Sequence, residues 1–118
     1  MRETGEDRCV RGELPQRLAA WFAEHEERLR SRGITGDVHQ SPPDGRDKAS
    51  TWMALEREDH IAALVVWSSG EAELECGDVA TGQVRRQHRD LHTFLDLLDA
   101  IESTHEWIRT KGGRYPEE

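Results

Sequence analysis

Glu71, Glu73 and Glu75 are the first residues whose type and spacing suggest chemistry. Two nearby acids can carry general acid–base catalysis when their surroundings push their protonation apart. Here the three alternate with Ala72, Leu74 and Cys76, so a strand sets them at even intervals on one outward face. That is the pattern of a solvated strand face. His88 and His92 stand four apart, a spacing that puts two imidazoles on one helical face for a metal. No glutamate adjoins the first histidine, no third ligand is near, and the helix expected here begins between the two, so no metal site is assigned. Cys9 and Cys76 are far apart and lack a Cys-x-x-Cys or histidine neighbour, which leaves neither a metal site nor a disulfide framework. His25 falls on an apolar helical stripe and reads as a hydrogen-bonded residue at the core edge.

Other short motifs fail for want of their context. His88-Arg89-Asp90 is the tripeptide of a kinase catalytic loop, but no Gly-rich loop, lysine strand or Asp-Phe-Gly accompanies it. Ser68-Ser69-Gly70 lacks the Gly-x-Ser-x-Gly pattern of a nucleophile elbow, and the scattered glycines cradle no phosphate. The reading is therefore of a non-enzyme, with no catalytic residue, no metal and no cofactor. A net charge of −8, with 34% of residues charged, disfavours nucleic acid and anionic membrane and suits a partner with a basic surface. No run is long and apolar enough to span a bilayer and no N-terminal apolar segment is present, so a cytoplasmic location is expected.

These residues must be positioned by one domain, the size that 118 residues supports. The pattern divides into a flexible leader, 1–13, an α+β domain, 14–110, and a tail, 111–118. A first helix is predicted over Leu14–Arg32, with Pro15 in its first turn, Leu18, Phe22, His25 and Leu29 on one stripe, and Gly33 as its cap. A short strand follows at Ile34–Gln40, then a loop at Ser41–Arg46 and a strand at Lys48–Arg57. Ile61–Trp67 is uncharged and rich in β-branched residues, the mark of a strand buried, or nearly so, on both faces. Ser68-Ser69-Gly70 turns it into the alternating strand Glu71–Cys76. Thr81-Gly82 turns again into Gln83–His88, a polar edge strand. Asp90 is the candidate N-cap of a last helix, Leu91–Thr110, whose stripe is Phe94, Leu95, Leu98, Ile101, His105 and Ile108. Trp21, Trp67 and Trp107 read as core or rim residues, and Trp52 as a candidate interface anchor. Short connections make the strands an antiparallel meander of four or five, with both helices on one face: an α+β two-layer sandwich.

The run Val66-Trp67-Ser68-Ser69-Gly70, continuing through Glu71-Ala72-Glu73-Leu74-Glu75 to Asp78-Val79-Ala80-Thr81-Gly82, resembles the TriTu family of bacterial immunity proteins. Ser41-Pro42 followed by Lys48–Glu56 is similar to that family's Ser-Pro loop and second strand, and Phe94, Leu95 and Leu98 to its terminal helix. The resemblance covers about Leu18–Ile101. It implies a protein that binds and neutralises the toxin domain of a polymorphic effector delivered by a contact-dependent system such as type VI secretion. The family's name implies a toxin that ADP-ribosylates elongation factor Tu. Such a toxin must present a basic cleft for an anionic dinucleotide, so the expected toxin-binding residues are the acidic hairpin, Glu71, Glu73, Glu75 and Asp78, with Trp52 as aromatic anchor. A monomer is favoured. The alternatives are a small acidic secretion chaperone and, last, an enzyme that reverses the toxin's modification.

Overall fold

The computed structural model of the protein describes residues 11–41 and 49–110. The leader up to residue 10, most of the Pro-Pro loop and the tail lie outside the described residues. The end of the expected leader, Arg11–Glu13, forms a single 3₁₀ turn.

Helix α1 spans Leu14–Ser31 with Pro15 in its first turn, where the missing N–H costs no hydrogen bond. It stops through a paired cap. The Gly33 N–H donates to the Arg30 carbonyl at 3.0 Å and the Ile34 N–H to the Leu29 carbonyl at 3.0 Å. Gly33 takes φ 82°, open to glycine without strain, while Leu29 and Ile34 are buried together. The chain then runs through five antiparallel strands: β1 Thr35–Gln40, β2 Ser50–Arg57, β3 His60–Trp67, β4 Glu71–Asp78 and β5 Gln83–Asp90. They lie in sequence order in one sheet, the meander that the short turns predict. Gly70 at φ 97° and Gly82 at φ 79° serve the last two turns, whereas the β2–β3 turn forces Glu58 to φ 55°. Helix α2, Phe94–Arg109, follows β5.

Both helices cover the same side of the sheet. Leu14, Leu18 and Phe22 of α1 and Leu97, Ile101, Trp107 and Ile108 of α2 close over Met53, Leu55, Leu64, Val66, Ala72 and Leu74. Arg57 pins the end of α2 to this layer: its Nη1 donates to the Arg109 carbonyl at 2.7 Å, meeting a backbone acceptor that the helix leaves unpaired. The helices lie over β1 to β4. The opposite side of the sheet has no second layer among the described residues.

Three expectations about β5 and α2 are corrected here. The N-cap of α2 is Thr93, not Asp90, which belongs to β5. The Thr93 hydroxyl accepts from the Asp96 N–H at 3.1 Å, and the Asp96 carboxylate accepts from the Thr93 N–H at 3.2 Å, a reciprocal capping box. β5 runs two residues longer than predicted because Asp90 still pairs with Glu71. The buried stripe of α2 is accordingly Leu97, Ala100, Ile101, Thr104, Trp107 and Ile108, while Leu95 is 59% exposed. The two faces of β3 differ in degree: Ala62, Leu64 and Val66 are buried against the helices, while on the open side Ala63 is buried and Ile61, Val65 and Trp67 are half-buried.

Candidate docking face

The register fixes which side chains share the open face. Pairing sets His39 beside Trp52, Trp52 beside Val65, Val65 beside Glu73, and Glu73 beside His88. A neighbouring row runs Asp37, Ala54, Ala63, Glu75, Arg86. Side chains alternate across a sheet, so Ile61 and Trp67 of β3 lie on this face too. Its centre is thus apolar and aromatic. Trp52 is 39% exposed, with its ring centroid 5.0 Å from that of His39. The small Ala54 leaves beside it a hollow of about 420 Å³ lined by Trp52, Ala54, Glu56, Ile61, Thr35 and Asp37.

Around this centre the charges are of mostly one sign. Asp37, Glu56, Glu71, Glu73, Glu75 and Asp90 all face the open side, against a single guanidinium among the described strand residues, that of Arg86. Strand β5 offsets part of the glutamate row. The Arg86 Nε donates to Glu75 Oε2 at 2.6 Å, and this bond holds the guanidinium more firmly protonated than usual. His88 sits opposite Glu73 and bonds Asp90 through Nε2 at 3.2 Å.

The structure therefore brings together Trp52, Glu71, Glu73 and Glu75 on one face, but not Asp78. By alternation Asp78 turns to the helix side, where Oδ2 lies 3.5 Å from His60 Nε2. Its Oδ1 accepts from the Ala80 and Thr81 N–H groups at 2.9 and 3.3 Å, so it organises the β4–β5 turn rather than the acidic row. Sequence reasoning missed Ile61, Val65 and Trp67 as parts of the face. Their signal was present in the one-sided cover: with both helices on one side, alternate residues of every strand must face outward.

The metal-ligand candidates of the sequence are spread out. His88 lies on β5 and His92 beyond its end, so no helical turn aligns them. Among the described residues, no group of three or more His, Cys, Asp or Glu side chains is placed to hold a metal ion. Cys76 is buried on the helix side, and burial, with Glu75 nearby, raises its thiol to about 11. No helix of the described residues is long and apolar enough to cross a membrane.

An open five-stranded sheet backed by two helices defines a small α+β two-layer domain. The family model "Immunity protein TriTu" matches residues 16–111, and the chain belongs to that family of immunity proteins. The match runs from the first turn of α1 to just past α2 and so takes in both helices and every strand. No curated protein matches the chain. Membership gives immunity as the general function and a cognate toxin protein as the partner.

Proposed function

We propose that this protein neutralises its toxin by stoichiometric occlusion, with the open face of the sheet as the docking surface. The observation that carries this reading is the apolar centre of Trp52, Val65 and Trp67 beside a row of carboxylates, on a side that no helix of the described residues covers. A partly exposed indole beside a hollow has the form of an interface hot spot: part of its surface is left for a partner, and its side chain is already ordered. The acidic rim fits a basic toxin surface, such as the substrate cleft of an ADP-ribosyltransferase acting on elongation factor Tu. It would raise the association rate and make it sensitive to salt. In this reading the protein is a cytoplasmic monomer that binds the folded toxin domain and turns nothing over.

The test is a titration of the cognate toxin domain with this protein. Activity should fall linearly and vanish near equal amounts, with one copy of each chain in the complex. Full protection at a few per cent of the toxin concentration would require catalysis and would overturn occlusion. A secretion chaperone would instead hold an unfolded segment and leave the folded domain active.

A further inference from the structure

A second charged feature lies on the helical side, away from the docking face, and its sign is opposite. The C-terminal ends of α1 and α2 flank a cleft of about 430 Å³. Trp21, His25, Arg28 and Arg32 line it from α1 and its cap, and Glu102, His105 and Arg109 from α2. Several other arginines among the described residues, Arg109 of the cleft included, have carboxylate partners. Arg17 reaches Glu13, Arg30 reaches Glu26 at 3.3 Å, Arg86 reaches Glu75 at 2.6 Å, and Arg109 reaches Glu106 at 2.7 Å. Arg28 and Arg32 are exposed and make no ion pair or side-chain hydrogen bond among the described residues. They stand one helical turn apart, on the side that lines the cleft, in a chain with 24 acidic residues against 16 Lys and Arg. A helix C-terminus tolerates cations, which accounts for their presence there. It does not account for the convergence of these two guanidinium groups with two imidazoles on one cleft.

The rest of the cleft is already ordered. The Trp21 and His25 rings stack with centroids 4.1 Å apart and planes within 13° of parallel. His25 Nδ1 lies 2.7 Å from the Trp21 carbonyl, and His105 meets Trp21 edge-on at 6.5 Å. Burial holds His105 below the usual histidine range, with Arg109 and Arg32 adding to that and Glu102 and Glu106 opposing it.

We propose that this cleft binds a small phosphate-bearing anion through the guanidinium forks of Arg28 and Arg32. A phosphate offers three oxygens and up to two charges, enough to engage two forks at once, whereas one carboxylate satisfies one fork. A cleft of about 430 Å³ has room for a small anion. Glu102, the one carboxylate in the lining, opposes the ligand, so its removal should help binding. The site does not depend on the immunity reading and needs no toxin for its test.

The purified full chain is titrated with pyrophosphate and with AMP, each at constant ionic strength, and followed by amide and imidazole NMR shifts. Saturable shifts at His25 and His105 are expected. In the double variant R28Q/R32Q affinity should fall at least tenfold with the melting temperature unchanged, and E102Q should tighten binding a few fold. Stronger binding of AMP would place a planar ring against Trp21 and make the natural ligand an organic phosphate. Stronger binding of pyrophosphate would make it an inorganic one. Shifts no larger than those in sodium chloride of equal ionic strength would overturn the proposal, as would undiminished binding by R28Q/R32Q.

Discussion

Trp52→Ala separates the docking face from the core. Trp52 is 39% exposed in the free protein. A tryptophan presents up to about 250 Å², so roughly 100 Å² of this side chain remains for a partner to cover. At about 25 cal/mol per Å², complete burial against the toxin contributes about 2.5 kcal/mol. Truncation should then weaken the complex by between ten- and a hundredfold, mainly through faster dissociation. Neighbouring side chains hold the rest of the indole, so some stability is lost too. Because the site opens to solvent, that loss should stay well below the roughly 3–5 kcal/mol of a core Trp→Ala change. The assay is a pair of measurements on the same preparation: dissociation rate from the toxin domain, and urea midpoint of the free protein. A dissociation rate within threefold of the unsubstituted protein, with folding intact, would show that Trp52 lies outside the interface and refute the reasoning from exposure.

Reversing Glu71 and Glu73 to lysine should slow association and flatten its dependence on salt while changing dissociation little, since rim charges act mostly on encounter; stopped-flow rates at low and high salt decide this. Gly36→Ala should destabilise the fold by about 1–3 kcal/mol, the range for overpacking. An added Cβ would stand 2.6 Å from Phe22 Cε1 and 3.0 Å from the Ala54 carbonyl oxygen. An unchanged urea midpoint would mean that α1 can lift from β1 without cost. His105 should make stability sensitive to pH. Its folded form is held below the histidine value of 6.5, so the unfolded chain takes up the proton first as pH falls. Stability is fully present above 6.5 and declines below it until the folded ring also protonates. H105Q should remove that part of the slope in a melting-temperature series.

Local periodicity made most of the fold legible. The alternation in Thr51–Leu55 and Ala72–Cys76, the stripe Leu18, Phe22, Leu29, and the glycines at 33, 70 and 82 each act within a few residues, and the structure keeps them all. A chain with two amphipathic helices and alternating strands can bury its apolar surface in few ways, so the two-layer architecture followed. What the sequence alone could not decide were matters settled between elements. The phase of α2 turned on whether Asp90 capped a helix or extended a strand, and pairing with Glu71 decided for the strand, leaving Thr93 and Asp96 to cap. The apolar run of β3 looked the same whether covered on both sides or on one, because a run without polar residues carries no phase. Placing both helices on one side left Ile61, Val65 and Trp67 facing outward. Asp78 looked continuous with the glutamate row, yet one step of alternation set it on the opposite face beside His60. The acidic row was in the sequence; its Arg86 counter-ion was a matter of strand register, which only the folded sheet fixes.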